Sequence, residues 1–225
     1  SSPPLTVALV DTGSSGVVEI DNILTGAGHA VERMDYATVE SSLGAGHDVL
    51  VYPGSGGGVW AVINNPGMGN TIRDFVAAGG GYVGICGGSI AGASDLVYDG
   101  VFLPGVMLGL LDVEATWYND WSAYVGNMVE LQFQVAMEHE ILTGLAPGDS
   151  VAGDYAGGPS FESYTEDIPM LYDEDLDPGL AGYQVSGAGA LAVGEYGVGK
   201  VVLSAVHPEY NHPDLLLSYL DWVRP

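Results

Sequence analysis

Short apolar runs, each followed by a glycine-bearing turn and a segment with helical spacing, constrain the fold of this chain more than any other feature. The first half contains such runs at residues 5–10, at residues 48–52 and just before Cys86, and residues 30–34 have the pattern of a further strand. Continuous apolar runs are typical of strands buried on both faces. The alternation of strand and helix therefore predicts an α/β fold in which helices cover both faces of a parallel sheet.

The second half of the chain has a different pattern. Residues 128–136 and 151–155 resemble strands that either extend the sheet in antiparallel pairing or form a small lobe beside it. Residues 190–196 and 200–206 flank a glycine turn and predict a β-hairpin, and residues 214–223 predict a terminal helix. No internal repeat and no long linker divides the chain, so we expect one domain over residues 1–225.

The net charge excludes some partners. It is −25, with only four lysine and arginine residues among 225, so nucleic-acid phosphates would be repelled and we expect no nucleic-acid partner. No apolar run approaches the roughly 20 residues that cross a bilayer, so we expect no membrane span.

The acidity, with a first residue that is not methionine, favours a secreted or extracellular protein; the alternative is a protein of the salt-rich cytoplasm of a halophile. The sequence predicts no cofactor, and it leaves the oligomeric state open.

Cys86, the only cysteine, is the first candidate for chemistry. It follows a predicted strand and precedes Gly87, Gly88 and a segment of small residues, a pattern typical of a strand, a sharp turn and a helix. A cysteine at such a turn faces the positive end of the helix, which favours a thiolate nucleophile. The alternative is a buried thiol that packs as a small hydrophobic side chain. The flanking glycines favour the nucleophile, because a packed core strand does not need them.

His207 and Glu209 are the candidates for a base and the group that orients it. We expect both side chains to project the same way from the end of one strand, with Pro208 between them stopping the strand ladder. A cysteine nucleophile needs such a pair, in which the histidine moves the proton. The alternative for His207 is a structural histidine at a strand end.

An oxyanion site requires backbone N–H groups that converge on one point. The glycine run at residues 54–58 follows the third strand, and within it Gly54, Ser55 and Gly56 are candidates together with the amide of Gly87. The alternative is a flexible glycine turn. A loop at the carboxyl end of a central strand points into the same cleft as Cys86, which favours the oxyanion interpretation.

Residues 84–88 (Gly-Ile-Cys-Gly-Gly), His207-Pro208-Glu209 and Pro53-Gly54 together resemble the class I glutamine amidotransferase-like superfamily. Within it, residues 80–86, 154–159 and 198–209 are similar to the family named after the N-terminal domain of biotin–protein ligases. The resemblance covers nearly the whole chain. It implies a flavodoxin-like three-layer α/β sandwich with a mostly parallel central sheet and antiparallel strands in the C-terminal half.

The resemblance also implies roles for single residues. Cys86 is the implied nucleophile, His207 the base and Glu209 the orienting carboxylate. Residues 155–159 are implied to lie over the site, which makes Tyr155, Gly157 and Gly158 candidates for substrate binding. No biotin-ligase catalytic domain accompanies these residues, so ligation is not implied.

One departure from the superfamily concerns the substrate. Glutamine-hydrolysing members carry a glutamine four residues after the cysteine, where this chain has Ile90, and side chains that could grip an amino-acid carboxylate are scarce. We therefore predict a cysteine-dependent hydrolase or amidase that acts on an unknown amide, ester or peptide and not on glutamine. The alternative is a catalytically quiet binding or structural protein that keeps the fold.

A second acidic feature is the segment at residues 173–179, whose alternate carboxylates have the spacing of a calcium loop. The glycine and the glutamate that such a loop requires are replaced by Pro178 and Gln184. We therefore favour a solvated turn over a calcium site and predict no metal.

Overall fold

The computed structural model describes residues 3–44, 46–124, 127–176 and 184–225. The helices are α1 (Ser15–Gly26), α2 (Tyr36–Ser42), α3 (Gly56–Asn64), α4 (Pro66–Ala77), α5 (Gly87–Gly92), α6 (Pro208–Asn211) and α7 (Pro213–Val223). The first strands are β1 (Thr6–Val10), β2 (Ala30–Met34), β3 (Val49–Tyr52), β4 (Gly81–Ile85), β5 (Asp95–Tyr98), β6 (Val101–Leu103) and β7 (Val113–Trp117). They are followed by β8 (Val129–Val135), β9 (Ser150–Tyr155), β10 (Ser160–Tyr164), β11 (Asp167–Tyr172), β12 (Gly189–Tyr196) and β13 (Gly199–Ser204).

Five strands form the parallel centre of the sheet, in the order β2-β1-β3-β4-β13. Every residue of β3 and β4 is buried, which explains why their sequences are continuously apolar or glycine. β4 pairs with β3 on one side and with β13 on the other, so all three strands end at one edge of the sheet. That edge is where an open parallel sheet holds its ligands.

The sheet extends beyond β13 through antiparallel pairs, with one parallel pair between β7 and β5. The path continues as β12-β10-β7-β5-β6, and β11, β8 and β9 branch from β12. β12 and β13 form the predicted hairpin, with Tyr196 opposite Gly199 next to its turn. Of the two arrangements that the sequence left open, the structure has the extension of the sheet rather than a separate lobe.

Two hydrophobic clusters lie on opposite faces of the parallel strands. Val7 and Leu9 of β1 pack in the cluster that includes residues of α1 and α7. Ala8 and Val10 of the same strand pack in the cluster that includes residues of α3 and α4. Because successive side chains of a strand point to opposite faces, this alternation places helices on both sides of the sheet. The flavodoxin-like three-layer α/β sandwich is therefore confirmed.

The glycine run at residues 54–58 is not wholly a loop. α3 begins within it at Gly56, and the Ser55 side chain accepts a hydrogen bond from Gly58 N at 3.3 Å as the helix cap. Val59 and Val62 on this helix are buried, and this tertiary packing overrides the low helix propensity of the glycines. Among the described residues, no helix has both the length and the apolar character that crossing a membrane requires.

A substitution at Gly88 tests how closely α5 packs against β3. A Cβ atom at Gly88 would collide with the backbone carbonyl oxygen of Tyr52, and the Tyr82 hydroxyl donates to the Gly88 carbonyl at 2.7 Å. We expect Gly88→Ala to lower the free energy of unfolding by at least about 2 kcal/mol, because backbone atoms must move to admit the methyl group. Urea denaturation measures the change.

Gly26→Ala at the end of α1 is the matched control, because a Cβ there meets nothing within 4 Å. We expect it to leave stability unchanged or to raise it by up to about 1 kcal/mol. Equal unfolding midpoints for the two variants would contradict the close packing of α5 on β3.

Candidate functional site

Cys86 occupies a sharp turn between β4 and α5. Its backbone has φ 51° and ψ −110°, a conformation that non-glycine residues rarely adopt. The turn is held on both sides, because Cys86 N donates to the Ser204 carbonyl at 2.7 Å and the Ser89 hydroxyl donates to the Cys86 carbonyl at 2.6 Å. Strain of this kind persists where the surrounding structure fixes the backbone, and it is concentrated at functional sites. The turn predicted from the sequence is therefore present, and the Cys86 side chain is only partly buried.

His207 and Glu209 form a buried hydrogen-bonded pair. His207 Nδ1 lies 2.8 Å from Glu209 Oε1, and the two residues are 6% and 2% exposed. Because a carboxylate only accepts hydrogen bonds, Nδ1 carries the proton and Nε2 is the atom left to exchange one. Glu209 thus fixes the orientation of the imidazole ring.

The expectation that both residues project from a strand end is wrong in its backbone detail. β13 ends at Ser204, and His207 immediately precedes α6, in which Pro208 is the first helical residue. Proline suits that position because its fixed φ matches a helix and the missing N–H has no partner there. Glu209 therefore reaches His207 from the first turn of a helix and not from a strand.

Gly54 lies between the thiol and the imidazole. A Cβ atom built on it would be 2.9 Å from His207 Cε1 and 3.4 Å from Cys86 Sγ. The absence of a side chain at Gly54 thus lets both groups share one small space. In the described part of the chain His207 Nε2 has no hydrogen-bond partner of good geometry, although the thiol is close enough to interact with it electrostatically.

The surroundings of His207 favour its charged form. Burial by itself lowers the pKa, but the Glu209 carboxylate first and the Cys86 thiol second raise it, and the resulting pKa is well above the ordinary value of 6.5. The site therefore stabilises an imidazolium next to a sulfur atom. An imidazolium at this position can donate a proton from Nε2.

Two further residues position His207, and the sequence analysis missed their role. His207 N donates to the Asp154 carbonyl at 2.9 Å, and Asn211 Nδ2 lies 2.9 Å and 2.8 Å from the two carboxylate oxygens of Asp154. Asp154 is only 4% exposed, so this contact ties the end of β9 to α6 within the protein interior. Nothing in the spacing of residues 154 and 211 signals the pairing.

A cleft of about 480 Å³ opens at this edge of the sheet. Among the described residues, eight of the ten predicted site residues line this cleft. They are Cys86, His207, Glu209, Gly54, Ser55, Gly56, Gly87 and Gly157. The predicted residues Tyr155 and Gly158 do not line it. Tyr155 is fully buried and its hydroxyl donates to the Gly158 carbonyl at 2.9 Å, so these two residues support the turn that presents Ala156 and Gly157 to the cleft.

Other lining residues were not predicted. They are the loop residues Thr12, Gly13, Ser14, Ser15 and Gly16, the apolar residues Val59, Ile90, Trp117 and Met128, and Tyr210. Ala156, which also lines the cleft, belongs to the segment 155–159 that the resemblance implies to lie over the site. The loop after β1 could have been found, because β1 neighbours β3 and parallel strands end at one edge. Trp117 could not, because its strand joins the sheet through antiparallel partners that the sequence does not specify.

In the described part of the chain, no group of three or more histidine, cysteine, aspartate or glutamate residues is arranged to hold a metal ion. The acidic segment is described only up to Leu176, and Asp177, Pro178 and Gly179 lie outside the described residues. Within the described portion, Asp175 Oδ1 accepts hydrogen bonds from the backbone N–H groups of Val185 and Ser186, each at 2.9 Å. That carboxylate thus caps a turn.

Comparisons with known proteins inform the fold. No protein-family model matches the chain, and no curated protein matches it in sequence. A crystal structure of a glutamine amidotransferase superposes with a TM-score of 0.67 at 19% identity, covering 96% of this chain and 98% of that one. A putative GMP synthase subunit from Thermoplasma acidophilum superposes with a TM-score of 0.62 at 14% identity, covering 98% and 94%. The chain therefore has a class I glutamine amidotransferase-like fold.

A β-galactosidase from Rahnella sp. R3 contains a similar structure. It superposes with a TM-score of 0.58 at 14% identity, covering 98% of this chain but only 31% of the enzyme. The fold thus also occurs as a part of larger proteins whose named activity is not amide hydrolysis. Identities this low establish the fold and leave function to the residues of the site.

The Glu209 carboxylate is the group whose removal tests the charge state of His207. Glu209→Gln keeps a hydrogen-bond acceptor but removes the negative charge, so burial should prevail and the His207 pKa should fall below 6.5. In the native protein the folded-state pKa is raised. The charged imidazole therefore stabilises the fold below about pH 6.5, and this contribution is lost as the pH rises through the folded-state pKa.

NMR titration of the histidine ring protons measures both proteins. His29 is the internal control, because its pKa is lowered chiefly by its own burial and Glu209 is not among the groups that shift it. An unchanged His207 titration in Glu209→Gln would show that the carboxylate does not set its charge.

Proposed function

We propose that the protein is a cysteine-dependent hydrolase or amidase that uses Cys86, His207 and Glu209. The observation that carries this proposal is the strained turn that places the Cys86 thiol in one cleft with a buried histidine–carboxylate pair. Each part has an ordinary structural explanation by itself. Their convergence at the carboxyl edge of a parallel sheet favours catalysis.

In the proposed reaction the Cys86 thiolate attacks a carbonyl carbon and a C–S bond forms. The oxyanion is held by backbone N–H groups of Gly87 and of the first turn of α3, beginning at Gly56. His207 then gives its Nε2 proton to the leaving amine or alcohol as the C–N or C–O bond breaks. Water, deprotonated by His207, attacks the thioester, and the carboxylic acid leaves with the thiol restored. Glu209 keeps the imidazole in the required tautomer throughout.

Glutamine is not the proposed substrate. Ile90 occupies the position at which glutamine-hydrolysing members of the superfamily carry glutamine, and it lines the cleft with an apolar side chain that is 1% exposed. The motifs at residues 80–86 and 154–159 support a closer relation to the biotin–protein ligase N-terminal-domain-like family. We further propose that the whole chain forms one such domain, and its acidity supports an exported protein.

A catalytically quiet binding protein is the second candidate. It is favoured by the occurrence of the fold within a β-galactosidase, a protein named for a different chemistry. In such a protein Cys86 and His207 would be retained for packing. The two candidates differ in the reactivity of the thiol.

Alkylation by iodoacetamide tests the proposal, and the label is unambiguous because the chain has one cysteine. We expect rapid labelling at pH 7, and His207→Ala should slow it at least about tenfold because the imidazolium that favours the thiolate is removed. Intact mass spectrometry over time measures the rate. p-Nitrophenyl acetate should then leave an acetyl adduct on Cys86.

His47→Ala is the matched control. His47 contacts Glu32 before the start of β3, whereas the cleft lies after the end of that strand. We expect labelling of this variant at the native rate. Slow labelling of the native protein that His207→Ala does not change would reject the hydrolase and favour the binding protein.

A further inference from the structure

Apart from His207, the described lining of the cleft offers no basic side chain to a carboxylate. Among the described lining residues there is no lysine or arginine. The four basic residues of the chain are engaged elsewhere: Arg33 with Asp21, Arg73 with Asn70, Lys200 with the Trp222 ring, and Arg224 with Asp221. His207, the remaining cationic group, is already paired with Glu209. A carboxylate buried in this cleft would therefore lose its hydration without gaining a charged partner.

One part of the cleft wall is apolar and well supported. Trp117 lies at the end of β7, and its ring centroid is 5.1 Å from that of Tyr98 and 6.5 Å from that of Trp60. A Cβ built on Gly56 would be 3.6 Å from Trp117 Cη2, so the indole edge lies beside the first turn of α3. Aromatic contacts of this kind hold a ring in place and leave it a large apolar surface. Met128, 39% exposed, adds a flexible thioether to the same lining.

Another part of the wall consists of hydroxyl groups already bonded to one another. The Thr12 and Ser14 hydroxyls lie 3.0 Å apart, and the Ser15 and Tyr210 hydroxyls lie 2.9 Å apart. Each can still accept or donate a further hydrogen bond to a neutral polar group. They provide no net charge. Apart from the His207–Glu209 pair, the described lining thus combines an apolar surface with neutral polar groups.

We infer that the substrate presents a neutral, apolar acyl group, aromatic or branched aliphatic, to Trp117 and Met128, and that substrates with a carboxylate on that group are rejected. The inference rests on the proposed hydrolase function and names its substrate class. The acyl group that becomes bonded to Cys86 lies against Trp117. The polar atoms of the leaving group form hydrogen bonds with the lining hydroxyl groups of Thr12, Ser14, Ser15 and Tyr210. Trp117 and Met128 are then the residues that determine specificity.

Binding to the Cys86→Ala variant tests the inference without requiring chemistry. Benzamide and 4-carboxybenzamide differ in one carboxylate, and ligand-observed NMR compares their affinities. Benzamide should bind at least about tenfold more tightly, because the cleft cannot compensate the buried charge. Measurements at about 0.5 M sodium chloride screen the general repulsion due to the acidic surface, and the preference should persist there.

Met128→Lys in the same background supplies the missing cation at an exposed position. We expect it to reduce the preference to within about threefold by improving the binding of the carboxylate. Met128→Gln, similar in length but uncharged, is the matched control for the charge: it should weaken the binding of benzamide but, unlike Met128→Lys, should not improve the binding of 4-carboxybenzamide. Equal or tighter binding of 4-carboxybenzamide, or no binding of benzamide, would overturn the inference. The alkylation experiment tests the hydrolase proposal separately: slow alkylation of native Cys86 that does not depend on His207 would reject it.

Discussion

The parallel pairing of β4 with its two neighbours is the interaction on which the site depends. Ile85, the last residue of β4, lies opposite Ser204 at the end of β13, and Gly84 lies opposite Tyr52 at the end of β3. This register brings three chain segments that are distant in sequence to one edge. The residues that follow the three strands, Gly54, Cys86 and His207, therefore meet there. A shift of one residue in either pairing would move the thiol from the imidazole and turn buried side chains to the wrong face.

Close backbone packing converts this register into a fixed geometry. The Cys86 turn is held by a hydrogen bond from its amide to β13, and Gly87 packs against the backbone of Ser55 without room for a side chain. His207 is held from the other side by the Asp154 carbonyl. The sulfur and the imidazole are therefore positioned by backbone elements more than by side-chain rotamers. Sites built on such elements are better preorganised than sites on free loops.

The sequence was most informative about features that residues close to one another in the chain determine by themselves. Buried runs of valine, leucine and isoleucine predicted the parallel strands, and the glycines around Cys86 predicted its turn. His207 and Glu209 were also found, because proximity in sequence makes their contact local. The N-terminus of α3 was mistaken for a loop, because glycine lowers helix propensity and the buried contacts of Val59 are tertiary. Contacts of high sequence separation, such as Asp154 with Asn211, carry no local signal at all.

Different parts of the sheet contribute the reactive groups and the apolar surface of the site. Groups suited to chemistry follow the strands of the parallel centre, whereas Trp117 enters the cleft from β7, outside that centre, where it lies opposite Tyr98 of the neighbouring strand β5. One fold can support different functions, because function depends on the residues that surround the site. Because the described lining of the cleft contains no lysine or arginine, the selectivity proposed for it is apolar rather than ionic. The negative electrostatic potential of an acidic protein does not repel a neutral acyl group. The acidic composition of the protein and the apolar lining of the cleft are therefore consistent with each other.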